Sequence, residues 1–381
     1  MNRREFLRTG LLAGAGVLAG PMINRGRFSL FADTAATYSA RAVELVGRST
    51  AIDMLGLLTL DWPKLYGWQR EPASFGASEL AKLRSSGVRV FHPAVEPHQP
   101  DPHKANLQWM TGWNRLLHGH PDKLLRIENA RDFDRVRKED KIGLLLGFQN
   151  SDHFRTAQDV ALFHGLGQRV SQLTYNDPNR IGSGCKDPKN GGLTKFGVEI
   201  VETMNRTGMA IDVSHCSERT TLDALQASRK PVLITHSNCR ALAPHPRCKP
   251  DSIIRAMAAR GGVMGITVIP AFLSARQPAS FEDVLDHVQH VIRLVGVEHV
   301  GVGSDCDVDA IDPQTRRVRP RYAVRGLRHA RRTFDLAEGL LRRGYGDAEI
   351  GLILGGNFQR VLDDIWNMAP AASERVSGKS G

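Results

Sequence analysis

The sequence predicts an α/β protein folded as a single (β/α)8 barrel of the TIM type. Three observations carry that expectation: apolar runs alternate with helix-period stretches from end to end, about eight of the runs read as strands, and no linker of Pro, Gly and Ser divides them. The chain has 381 residues, enough for one large barrel, and an apolar content of 41% supplies a core.

Each element follows in order. Residues 41–50 read as a short helix and residues 50–60 as a first strand, with Ile52, Leu57 and Leu58 apolar. Ser78 caps a helix that ends at Gly87, and residues 88–91 form a second strand. Helices over 107–117 and 130–139 precede a buried strand at 142–147. Residues 156–164 are helical, 170–173 a strand, and 176–192 a glycine-rich loop. An amphipathic helix over 195–207 then leads into residues 208–247, on which the chain is organised.

That stretch holds two apolar runs, 209–213 and 231–234, each followed closely by a histidine, His215 and His236. Between them Ser217 caps a helix continuing over 220–227, so the unit reads strand, helix, strand. A lone strand-end histidine ordinarily only closes its strand. Two of them in consecutive parallel units lie at the carboxyl end of the sheet, where barrels carry their chemistry, and can converge on one point. Beyond them come a helix at 251–260, strands at 262–268 and 300–303, the latter ending at Asp305, and helices at 281–295, 330–343 and 357–366. The last fifteen residues read as loose.

Composition narrows the setting. Paired Arg3 and Arg4, Phe6 and Leu7, then a mildly apolar run over 11–20 too short to span a bilayer, read as a twin-arginine export signal. Residues 1–40 are therefore expected to be signal and linker, with a cleavage zone near 32–40, and residues 41–381 the barrel domain; the destination would be the periplasm or the exterior. Five cysteines without a CxxC pair exclude a zinc ribbon or a disulfide framework, though Cys239 and Cys248 could bridge in an oxidising compartment. The net charge is +11, much of it in residues 316–332, RRVRPRYAVRGLRHARR. Without interleaved aromatics this reads as a solvated face near anionic envelope polymers and not as a nucleic-acid patch.

Four ordered motifs, GGLTKFGVEIVETMNRTGMAIDVSH, PVLITHSNCRALAPHPR, HVGVGSDCD and ILGGNFQRVL, resemble the successive signatures of the membrane (renal) dipeptidase family of metallopeptidases. The resemblance covers nearly all of residues 50–367. It implies a barrel of the metal-dependent hydrolase kind, often dimeric, with a binuclear zinc site that cleaves dipeptides or related amides. His215 and His236 then match two metal-binding histidines, Arg247 the arginine that holds the substrate carboxylate, and Asp305 the aspartate that moves the proton. A guanidinium fork suits a carboxylate, and a strand-end carboxylate suits acid/base work, although each also has a bland role as solvated loop residue or helix cap.

The sequence departs from the family where the metals should sit. The His-x-Asp pair of the first strand falls on Leu55 and Leu57, the bridging glutamate on Gln149, and a substrate-side histidine on Tyr175, which could instead donate its hydroxyl to an oxyanion. Two histidines and a glutamine cannot offset four positive charges, so at most one zinc ion is expected, with Asp53, Asp152, His153 or His92 as candidates for a third ligand. Cys216 and Cys306 flank the site residues, and strand alternation turns them toward packing. The expected function is an exported dipeptidase-like hydrolase of small peptides with an incomplete metal site. The alternatives are a tailoring enzyme for an exported peptidic metabolite and a non-catalytic small-peptide binder.

Overall fold

Short apolar runs bounded by turn residues become the strands of one curled parallel sheet. The computed structural model describes residues 27–28, 37–95 and 99–367, so the expected export signal, most of its cleavage zone and all but the first of the last fifteen residues lie outside the described residues. A small antiparallel pair, β1 (Arg27–Phe28) and β2 (Tyr38–Ser39), precedes the sheet. The sheet holds β3 (Ile52–Asp53), β4 (Val90–Phe91), β5 (Leu124–Arg126), β6 (Ile142–Leu144), β7 (Gly147–Phe148), β8 (Val170–Gln172), β9 (Ala210–Asp212), β10 (Val232–Ser237), β11 (Met264–Ile266) and β12 (Val300–Val302). Their spatial order is β5-β6-β4-β3-β12-β11-β10-β9-β8-β7, and every neighbouring pair in it is parallel. Among the described residues no helix is long and apolar enough to cross a membrane.

Helices cover the sheet, as a parallel sheet requires. The helix Lys195–Thr207 starts where Thr194 Oγ1 accepts the Gly197 N–H and stops at Gly208, whose φ of 80° suits glycine. Ser217 caps Glu218–Ala227 by accepting the Thr220 N–H, and Ser280 with Asp283 makes a capping box for Phe281–Val295. Phe75, Phe91, Trp113, Phe148 and Phe163 are among the fully buried side chains of the core. All six residues of β10, VLITHS, are buried, so its polar members Thr235, His236 and Ser237 must find partners inside the protein.

The elements differ from the expected ones in ways that bear on the site. The strand expected over 50–60 ends at Asp53, because its carboxylate accepts the Leu55 N–H and its carbonyl the Gly56 N–H, turning the chain. The strand expected over 142–147 is divided into β6, which pairs with β4, and β7, which pairs with β8. β10 runs through His236 to Ser237 instead of stopping at Ile234. Asp101 and Pro102 start a helix at Pro102–Gly119, earlier than the apolar pattern indicates. All five cysteines are free thiols, Cys239 and Cys248 both buried, and Cys216 and Cys306 pack in the core as expected.

Candidate active site

His215, just past β9, and His236, in β10, meet with Nε2 to Nε2 at 2.9 Å. The structure thus brings together the two histidines that the strand–helix–strand unit places at one end of the sheet. The other nitrogen of each ring is held from behind. His215 Nδ1 lies 2.9 Å from Asn176 Oδ1, a side-chain oxygen that accepts its N–H. His236 Nδ1 lies 2.8 Å from Thr235 Oγ1, whose single proton goes to Asp212 Oδ2 at 2.7 Å. His236 Nδ1 must therefore carry the proton and donate it to Thr235. Both Nε2 atoms then present lone pairs to the same point, which is how paired imidazoles clamp a cation. Burial, reinforced by the Arg247 charge, holds both rings well below the ordinary histidine pKa, so both are neutral, as ligands must be.

Asp212 is the keystone of this arrangement. Its Oδ1 accepts the Ser214 N–H, the Ser214 hydroxyl and the Thr235 N–H at 2.9, 2.6 and 3.0 Å, while Ser214 Oγ accepts the His236 N–H at 3.0 Å. The carboxylate joins the ends of β9 and β10 and fixes the His236 ring through Thr235. Asn176 adopts a φ of 57°, a left-handed conformation that asparagine tolerates and that directs its side chain at His215. Sequence reasoning missed Asp212, Thr235 and Asn176. The first two sit within three residues of a site histidine, a signal that polar residues inside an apolar run could have given.

Cations crowd the same place. The Arg247 guanidinium is buried over the Phe272 ring, 5.5 Å from its centroid, and donates to the carbonyls of Ser214 and His236 at 2.5 and 3.0 Å. Its Nε–H is buried with no acceptor among the described residues. Lys249 Nζ donates to the carbonyls of Val213 and Cys216 at 2.8 and 2.9 Å, and burial pushes its pKa down to about 8. Tyr175 stacks on His215 with centroids 4.3 Å apart. Asp305, with a φ of 60°, is partly buried; burial lifts its carboxyl to about 6 against the pull of Arg247 and Arg321.

The histidine pair supplies two nitrogen ligands, and the neighbouring positions add no third. Leu55 is buried apolar surface, and Gln149 uses its amide on the Ala94 carbonyl at 3.4 Å. Among the described residues, no three His, Cys, Asp or Glu side chains converge to hold a metal. None of the four candidate third ligands joins the pair. Asp53 is saturated by Arg332, Ser304 and Leu55. His153 lies in an aromatic cage of Phe148, Phe154 and Phe163 and contacts Asn150 O and Gln168 Oε1. Asp152 accepts from Asn150 at 3.3 Å. His92 Nδ1 donates to the Met54 carbonyl at 2.7 Å, and its buried Nε2 has no hydrogen-bond partner among the described residues.

The chain is similar to known proteins over most of its described length. A family model for membrane dipeptidases (peptidase family M19) matches residues 40–376. Dipeptidase aclJ of Aspergillus oryzae is 31% identical over 270 residues, 69% of this chain and 61% of that protein. Dipeptidase verJ of Clonostachys rogersoniana is 32% identical over 265 residues, 69% of this chain and 65% of that protein. The chain therefore matches less than two thirds of the length of these relatives. A crystal structure of an amidohydrolase from Pseudomonas aeruginosa superposes with a TM-score of 0.73 at 27% identity, covering 85% of this chain and 99% of that one. With its paired strand-end histidines and a family match across the body of the sequence, this chain belongs to the membrane dipeptidase family.

Proposed function

We propose that the protein is an exported hydrolase of dipeptides or related amides whose pocket holds at most one zinc ion, between His215 and His236. The observation that carries the reading is the 2.9 Å approach of two Nε2 atoms whose partner nitrogens are both held as donors. The relatives named as dipeptidases support the reaction class. The reading of the sheet as a (β/α)8 barrel is supported by residues 142–148, which pair with β4 at one end and β8 at the other, and by a Val95 to Phe148 bridge. Periplasmic export rests on the paired arginines at the start of the sequence.

A zinc ion at this pair would supply Lewis acidity and an activated water. The chain's own residues do the rest. Arg247 takes the substrate carboxylate with its unused Nε–H and the remaining guanidinium protons. Asp305, poised near neutrality, moves a proton at its carboxylate. Tyr175, held flat on His215, directs its hydroxyl toward the developing oxyanion.

Elemental analysis of the purified protein, together with a panel of L,L and L,D dipeptides, tests this. Up to one zinc per chain with measurable turnover is expected. Two zinc ions, or turnover unaffected by His215→Ala, would overturn it. A second reading, a small-peptide binder without turnover, is favoured by Leu55 and by the engagement of Asp53; peptide binding with neither metal nor hydrolysis would select it.

A further inference from the structure

Residues 314–330 contain six arginines and no acidic residue. Arg319 is paired with Asp312 and Arg328 with Asp335, but the exposed side chains of Arg316, Arg317, Arg321 and Arg325 have no carboxylate partner among the described residues. Four guanidinium groups without a carboxylate partner within ten residues create a local positive potential that draws anions toward them.

This segment is tied to the strand end that carries Asp305. Asp307, two residues on, accepts the Leu60 N–H at 2.8 Å and the Ala310 N–H at 2.5 Å, and its carbonyl accepts from Arg332 at 2.7 Å. Arg319 donates its backbone N–H to Ala310 and its side chain to the Leu60 carbonyl, at 3.0 and 3.2 Å. Buried His329 holds the Tyr322 carbonyl at 2.6 Å, and Arg321 lies over the Tyr322 ring, 5.6 Å from its centroid. The backbone that carries these arginines is therefore tied to the strand exit at Asp307, and Arg321 is the one of the four that acts on the Asp305 carboxyl.

We propose that Arg321, backed by Arg316, Arg317 and Arg325, selects substrates that carry an acidic side chain in addition to the carboxylate held by Arg247. The inference rests on the reading of the pocket as a small-peptide site. The pull of Arg321 on the Asp305 carboxyl is consistent with their proximity. A zwitterionic dipeptide presents one anion to this line of cations, and an acidic one presents two. A basic dipeptide meets repulsion.

Calorimetric titration of the full chain with L-Ala-L-Glu, L-Ala-L-Ala and L-Ala-L-Lys tests the proposal. L-Ala-L-Glu is expected to bind tightest and L-Ala-L-Lys weakest, with the preference shrinking as salt rises. Arg321→Ala should weaken L-Ala-L-Glu by roughly threefold to tenfold and L-Ala-L-Ala by clearly less, and Arg321→Lys should restore most of the loss. Equal affinity for the three peptides, or a preference indifferent to Arg321→Ala, overturns the selectivity alone. Failure of all three to bind overturns the peptide-site reading and the inference with it. Because Arg321 is exposed, thermal melts of the variants should match the parent.

Discussion

Arg332 and Asp53 form a buried ion pair at the end of β3, with Nη2 and Nε of the guanidinium 2.7 and 3.1 Å from Asp53 Oδ2. Ser304 adds its hydroxyl to Oδ2 at 2.6 Å and its N–H to Oδ1 at 2.8 Å, and the Leu55 N–H completes the set at 3.3 Å. The remaining guanidinium nitrogen spans the carbonyls of Asp307 and His329. One carboxylate thus joins the first strand, the exit of β12 and the start of the helix Arg332–Arg342. The guanidinium is the only positive charge that contacts the Asp53 carboxylate among the described residues.

Removing one partner strands the other charge in the interior. Arg332→Met and Asp53→Asn are each expected to destabilise the protein by about 3–5 kcal/mol, and the double variant by less than the sum. Urea unfolding of the cycle measures this. Single variants within about 1 kcal/mol of the parent would show that the pair does not hold the strand end.

The histidine clamp makes a separate prediction. Thr235→Val takes away the oxygen that receives the His236 Nδ1–H while keeping the shape of the side chain. Zinc affinity should fall about 10–100-fold through loss of that orienting contact, and His215→Ala should abolish binding. Competition with a chromophoric chelator reads both without any assay of activity. Equal zinc affinity in Thr235→Val would detach the Asp212–Thr235 relay from the metal site.

Much of this centre was legible because the barrel rule ties strand ends to chemistry and the two histidines stand at the ends of apolar runs. Arg247 and Asp305 came from motif resemblance alone. Which of Asp53, Asp152, His153 and His92 could join the pair is not legible in the sequence: Asp53 is taken by Arg332, 279 residues away, a contact that only the curled sheet makes. Asn176 was hidden in a glycine-rich loop, where its function depends on a left-handed backbone. The division of residues 142–148 into two strands was likewise unreadable, since an unbroken apolar run looks the same whether it has one set of neighbours or two.

Asp305 should make stability fall with rising pH. Its carboxyl moves from 3.8 up to about 6 on folding, through burial that outweighs Arg247 and Arg321. The folded state therefore holds the extra proton, and the contribution present below about pH 4 is lost as pH rises through 6. Asp305→Asn removes that slope, which unfolding at a series of pH values detects. If Asp305 accepts the proton during turnover, the acid limb of the rate profile has its midpoint near 6, and Asp305→Asn lowers turnover by about 10²–10⁴-fold and erases the limb. A limb that survives in the variant assigns the proton to another group.

His153 predicts the opposite slope. Its ring sits fully buried among Phe148, Phe154 and Phe163, and burial pushes its pKa from 6.5 down to about 3. The unfolded chain takes up the proton first, so the stability from this neutral imidazole is present above about 6.5 and is lost as pH falls toward 3. His287 and His329, both lowered to about 4 by burial, add to the same acid weakness. His153→Phe should cost roughly 1–3 kcal/mol at neutral pH, because the single N–H of the neutral ring, which only one of the Asn150 carbonyl and Gln168 Oε1 can accept, is lost, and should narrow the gap between neutral and acidic stability. Because a phenyl ring binds no metal, zinc content should also be unchanged. A variant that lost its zinc would return His153 to the metal site; one with an unaltered acid slope would place the acid weakness on the other two histidines.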